Sequence, residues 1–291
     1  MIIMEILKSV LMGIIQGITE WLPISSTGHL LLFDEFIKLT VNSIPQRNEE
    51  FFNFFKVFIQ LGSILAVLVL YFHKLNPLSA KKTDKEKKQT LSLWGKVLVA
   101  SIPAGIIGMA FDDQIDGVLS EWYVIAATLI IYGILFILLE NRKVSPRINN
   151  ISQMGFKTAF FIGVFQMLAL IPGTSRSGST ILGAVFLGSS RYIAAEFSFF
   201  MAIPAMLGGS GIKLLKFAME NGEKYGAQYP LLFSGIEWAV LIAGFVTAFI
   251  VSIIVIKFLI GYIKKHDFKV FGYYRIILGV LVILYFVLIK K

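Results

Sequence analysis

The stretch QGITEWLPISSTGH, Gln16 to His29, decides how this chain is read. It closes an apolar run with the Glu20 carboxylate, the three successive hydroxyls of Ser25, Ser26 and Thr27, and the His29 imidazole. Gln16 and Glu20 are four apart and share a helical face, whereas Pro23, Ser25, Ser26 and Gly28 mark the break that follows. An ionisable group at membrane depth costs roughly 3 kcal/mol or more on insertion scales, so it is expected to face a wet cavity or a partner. The plainer structural alternative puts Glu20 and His29 at an interfacial helix end.

Composition sets the surroundings of that stretch. The chain has 291 residues, of which 56% are hydrophobic and 15% charged, with a mean hydropathy of +0.77. That is a polytopic membrane protein rather than a soluble globule. Cysteine is absent, which removes disulfides and thiolate metal sites. The net charge of +9 belongs to loops, and no basic stripe with interleaved aromatics suggests a nucleic-acid partner. The early run Val10 to Ile18 passes into Thr19, Glu20 and Trp21 without a small-x-small cleavage site, so it reads as mature chain.

In chain order, Ile6 to Phe36 is an apolar segment broken near its middle. Irregular backbone of that kind is tolerated at depth only against protein or water. Spans are expected at Val57 to Phe72, Leu93 to Phe111 and Trp122 to Leu139. Gly155 to Leu187 repeats the opening pattern, broken from Pro172 to Thr180, and further spans follow at Phe197 to Leu215, Trp238 to Ile260 and Tyr273 to Ile289. The expected fold is all-α: six transmembrane helices plus two re-entrant helix-loop-helix segments.

Charge and internal similarity orient these pieces. Lys74 to Lys88 holds six lysines and Arg142, Lys143 and Arg147 follow the third span, both cytoplasmic marks, whereas Asp112 to Glu121 has four acids and no base. GIIQGITEWLPISSTG (Gly13 to Gly28) lies 150 residues before GVFQMLALIPGTSRSG (Gly163 to Gly178), and Trp122-Tyr123 lies 151 before Tyr273-Tyr274. One membrane domain, 1–291, is thus expected to contain two repeats, about 1–145 and about 151–291. Three spans per half would invert the second half against the first. Both termini then lie outside, with Lys290 and Lys291 in mild conflict, and the loop tips meet near the midplane.

The second break, Pro172-Gly-Thr-Ser-Arg-Ser-Gly-Ser-Thr180, has the composition of an anion site. Gly173 admits close backbone approach, Thr174, Ser175, Ser177 and Thr180 bring hydroxyls, the following helix start brings a positive dipole, and Arg176 can grip phosphate bidentately. The Gly-Lys-Ser/Thr ending of a Walker loop is missing. A Gly/Ser turn with a snorkelling arginine is the structural alternative.

These residues resemble the undecaprenyl-diphosphate phosphatase (bacitracin-resistance protein) family. The resemblance covers nearly the whole chain, through Gln16 to Glu20 as (E/Q)xxxE, Pro23 to His29 as PxSSTGH, Pro172 to Thr180 as PGxSRSxxT, and Ser190 to Phe199 as SRYxAxEFSF. It departs at Gln16, where many members have a second glutamate.

The resemblance implies a bacterial cell-membrane hydrolase that converts a C55 isoprenoid diphosphate to the monophosphate, renewing the lipid carrier of cell-wall synthesis and conferring bacitracin tolerance; the charge rule gives its site an opening on the outer face. It implies a divalent cation, Mg2+ or alternatively Ca2+, held by Glu20 with Gln16. Arg176, Ser175, Ser177 and Thr180 would clamp the diphosphate, with Ser25, Thr27, Gly173 and Thr174 lining the site. Ser26 and His29 would act as nucleophile and general acid/base, with attack by His29 or by metal-activated water left open. The bilayer and a polyprenyl diphosphate are the expected partners, and a homodimer is compatible with the sequence. An inverted-repeat transporter or flippase of the monophosphate is the main rival. The other large class of membrane lipid phosphatases needs a distal histidine, and none occurs between Arg176 and His266.

The orientation is testable because the chain carries no cysteine of its own. A cysteine at Asp113 should react with an impermeant reagent in intact cells, and one at Lys85 only after permeabilisation. The reverse pattern would invert the topology.

Overall fold

The computed structural model describes residues 2–41, 45–119, 121–142, 144–224 and 233–289. Among them the chain is helical, apart from an isolated bridge between Ile148 and Ser189 and connecting turns. The helices are α1 Ile2–Thr19, α2 Ser26–Phe36, α3 Pro45–Leu70, α4 Phe72–Leu75, α5 Asp84–Leu119, α6 Trp122–Asn141, α7 Phe156–Met167, α8 Arg176–Phe186, α9 Arg191–Lys224, α10 Gly235–Tyr262 and α11 Lys269–Leu288.

Seven of these described helices, α1, α3, α5, α6, α9, α10 and α11, are long and apolar enough to cross a membrane. The reason shows on α10, where Ile242, Val246, Ile250, Ile254 and Phe258 recur every four residues and all are exposed. An apolar row facing outward turn after turn suits lipid as solvent. Its opposite side is buried, through Val240, Gly244, Ala248 and Ser252.

Seven differs from the six spans expected, because the leading arm of the first broken segment is itself 18 residues long, whereas its counterpart α7 has 12. The charged connections are also more helical than expected. Asp84 to Lys88 form the first turn and more of α5, and that helix continues to Leu119. Residues 143, 290 and 291, used above for orientation, lie outside the described residues, as does the Thr27 side chain.

The packing is reciprocal. α1 lies on α10 and α7 on α5, while α6 pairs with α11 and α3 with α9. At each broken segment a glycine sets the approach. A Cβ on Gly13 would stand 2.6 Å from the Gly244 carbonyl oxygen, and one on Gly163, 150 residues later, would collide with the Ala100 backbone. Small residues let helix backbones meet this closely where water drives nothing together.

Behind the two breaks lies an apolar wall of Trp21, Ile181, Phe197, Phe199 and Phe200, all fully buried. Ion pairs sit elsewhere on the helices, Arg47 with Glu237 at 3.2 Å with both side chains buried, and an exposed Lys74 with a buried Glu196 at 2.7 Å. The wall lies behind the two loop tips that the sequence marked for chemistry.

Candidate active site

Both breaks are built the same way. α1 stops at Thr19 and the chain turns through Pro23 and Ser25 into α2. After α7 a 3-10 turn, Leu168–Leu170, leads through Gly173 and Ser175 into α8. Ser25 has φ 77° and Ser175 has φ 74°, and they are the only non-glycine described residues with positive φ. Each caps the next helix, with Ser25 Oγ accepting from Gly28 N–H at 3.3 Å and Ser175 Oγ from Gly178 N–H at 3.1 Å. Such backbone costs on the order of 1–3 kcal/mol per residue and persists where its surroundings over-determine it. Gly173, at φ 86°, has no room for a side chain, since a Cβ would stand 2.8 Å from the Ile125 carbonyl oxygen.

The tips meet at Glu20. Its Oε2 accepts from Ser26 Oγ at 2.7 Å and from Gln16 Nε2 at 3.0 Å, and its Oε1 accepts from the Arg176 guanidinium at 3.1 Å. Arg176 also donates to the Ser198 carbonyl at 3.0 Å and lies 5.9 Å from the Trp21 ring centre. The two charged side chains are 7% and 14% exposed, so each neutralises a charge that would otherwise be buried alone. Ser177 Oγ completes the join by donating to the Glu20 carbonyl at 3.0 Å.

The expected site residues therefore divide. Gln16, Glu20, Ser26, Arg176 and Ser177 come together. The hydroxyls of Ser25 and Ser175 hold helix caps, and Thr180 Oγ1 donates to the Arg176 carbonyl at 2.9 Å and bonds Ser198 Oγ at 2.6 Å, so these three are committed inside the loops. Thr174 Oγ1 is buried with no hydrogen-bond partner, a hydroxyl in the second loop still free to bond. His29 makes its hydrogen bonds to other groups than the carboxylate. Its Nδ1 donates to the Ser25 carbonyl at 2.6 Å, which leaves Nε2 to accept from Tyr274 O–H at 2.6 Å.

Trp21, Ser198, Tyr274 and Arg275 were not anticipated from sequence. Arg275 carried a readable signal, a lone arginine inside an apolar span, which by default marks function. The other three look like ordinary membrane-helix residues until the fold sets them against the loops.

The arrangement suits attack on a phosphorus. Ser26 is half-buried and already hydrogen-bonded to a carboxylate able to take its proton, and a guanidinium stands beside them with a buried Nε lacking a partner. For a cation the available oxygens are the Glu20 carboxylate and Gln16 Oε1, which is buried and unpartnered. No cluster of three His, Cys, Asp or Glu occurs among the described residues. A pair of oxygens fits a hard ion that takes its remaining ligands from water and phosphate.

A family model described as bacitracin resistance protein BacA matches residues 9–281. Undecaprenyl-diphosphatase 1 of Clostridioides difficile is 56% identical over 287 residues, 99% of this chain and 98% of that protein. The undecaprenyl-diphosphatases of Lactiplantibacillus plantarum and Enterococcus faecalis are 54% and 51% identical, each covering 98% of this chain and 99% of their own.

The strained serines yield a reversed order of substitutions. Ser175→Gly accepts positive φ and loses little as a cap, so its unfolding free energy in detergent should stay within about 0.5 kcal/mol of wild type. Ser175→Ala loses the cap and keeps the strain, and should lose about 2 kcal/mol. Alanine matching or exceeding glycine would remove the strain from the account.

Proposed function

The chain belongs to the bacitracin resistance protein BacA family and is an integral membrane undecaprenyl-diphosphatase, and we propose that its chemistry takes place where the two broken segments meet at Glu20. It hydrolyses undecaprenyl diphosphate to the monophosphate, which renews the lipid carrier of peptidoglycan synthesis and confers bacitracin resistance. An inverted-repeat transporter is not favoured, since relatives matching over the full length carry the phosphatase name.

One observation carries the site: Ser26 O–H points at Glu20 Oε2 at 2.7 Å, while Arg176, from the other half of the chain, holds Oε1. In the proposed reaction Arg176 turns from Glu20 to the terminal phosphate and stabilises its equatorial oxygens. Ser26 oxygen attacks the terminal phosphorus as its proton passes to Glu20, and the bond to the bridging oxygen breaks to release the lipid monophosphate. Water then cleaves the serine phosphate, giving inorganic phosphate and restoring Ser26. His29, three residues along α2 and hydrogen-bonded to Tyr274, is the proposed general acid for the leaving phosphate in its imidazolium form, in which Nε2 carries the proton it gives up and Nδ1 keeps its bond to the Ser25 carbonyl. A divalent cation, Mg2+ or Ca2+, would be held by Glu20 and Gln16 and would supply neutralisation of phosphate charge.

The proposed setting is an inverted-topology repeat in which α1–α2 and α7–α8 are re-entrant hairpins, as the mirrored serines and the mirrored packing of α1 and α7 support. The basic connections support a site that opens outward with both termini outside.

Phosphate release from a purified sample given a long-chain isoprenyl diphosphate tests the assignment. Glu20→Gln should lower turnover by at least about a hundredfold, with excess Mg2+ restoring little. Arg176→Lys should lose most activity despite its charge, because the planar fork is gone. Chelator should abolish wild-type release. Near-normal turnover in either variant would move the site elsewhere.

A further inference from the structure

Arg275 has no place in the reaction written above, yet it is fully buried at the centre of the two loops. Its NH1 donates to the Pro23 carbonyl at 3.0 Å, and its NH2 donates to the carbonyls of Gly173 at 2.9 Å and Thr174 at 2.8 Å. Pro23 belongs to the first break, and Gly173 and Thr174 to the second. One guanidinium on a third element, α11, therefore holds backbone from both half-sites.

The chemistry explains why an arginine stands there. A broken helix inside a membrane protein leaves carbonyls that no helical N–H reaches, and each left bare costs several kcal/mol. A rigid planar fork can satisfy acceptors on two loops and fix their separation, whereas an ammonium on a flexible stem has no such geometry. None of the hydrogen bonds of Arg275 goes to a carboxylate. Its charge is met by carbonyl dipoles and by the Tyr132 ring, 5.3 Å from the guanidinium carbon. The preceding residue, Tyr274, holds His29, so consecutive side chains of α11 grip both the loop join and the imidazole.

We propose that Arg275 is a positioning residue that keeps the Ser26–Glu20 half-site in register with the Arg176 half-site without touching substrate, an inference that rests on placing the reaction at these loops. Misplacing reacting groups by 1 Å can cost on the order of a hundredfold in rate. Arg176 and the second loop, left to themselves, still bind anion, so the loss falls on turnover more than on binding.

The test measures phosphate release, and affinity for a methylene-bridged isoprenyl bisphosphonate, in the full-length protein in detergent. Arg275→Lys should lower kcat on the order of a hundredfold while KM and analogue affinity stay within about threefold. Tyr132→Leu, which removes the ring but keeps the fork, should show a smaller loss with the same split, and it reports if Arg275→Lys fails to fold. Unchanged kcat in both variants, or kcat and analogue affinity falling by one common factor, would overturn the proposal. If Glu20→Gln and Arg176→Lys also keep normal turnover, the site itself is misplaced. If those two are inactive while Arg275→Lys is normal, only the role of Arg275 fails.

Discussion

Glu20 and Arg176 are the constraint on which this structure turns. A carboxylate and a guanidinium nearly removed from water must find each other, because a lone charge left by deleting one partner of such a pair costs about 3–5 kcal/mol. They stand 156 residues apart in the chain and 3.1 Å apart in space. Bringing them together requires two helices to break inside the protein and their tips to touch, and the irregular backbone so created must be capped and hydrogen-bonded. Ser25, Ser175, Ser177, Thr180 and Arg275 do that. Hydroxyls that look like phosphate ligands in the sequence thus serve first to hold the loops.

The pairing also bears on how the buried charges of the site are balanced. Glu20 is hydrogen-bonded by Gln16, Ser26 and Arg176 together, so its charge is offset by the guanidinium, which lies against the Trp21 ring. In the proposed reaction a diphosphate would bring competing oxygens for Arg176, and Glu20, released from the guanidinium, would take the Ser26 proton. On that proposal, binding and activation of the nucleophile would be one event, which directs binding energy to the reacting centre.

Much of this was legible in sequence because the chemistry contradicted its surroundings. Glu20, His29 and Arg176 are polar residues in apolar runs, and the 150-residue offset tied their segments together before any coordinates. The span count was harder, since hydropathy cannot tell an 18-residue arm of a broken segment from a crossing helix, and the two have the same composition. The ends of α5 escaped notice because a helix can continue through charged residues once it leaves the apolar layer. Which hydroxyls are free is a matter of rotamers and partners, beyond the reach of spacing. Tyr274 lies 245 residues from the histidine it holds, and a tyrosine near a helix start is usually only an interfacial anchor. Arg275 could have been read, as the one charge within the expected span Tyr273 to Ile289.

The central claim, that halves of the chain far apart in sequence build one phosphate site at Glu20, is tested most directly by a structure with a non-hydrolysable isoprenyl bisphosphonate bound. The account predicts the terminal phosphonate oxygens within hydrogen-bond distance of the Arg176 guanidinium, and Ser26 Oγ in line with the terminal phosphorus while still bonded to Glu20. A head group bound away from both loops, or one held by the second loop with Ser26 and Glu20 too distant to reach it, would contradict the account.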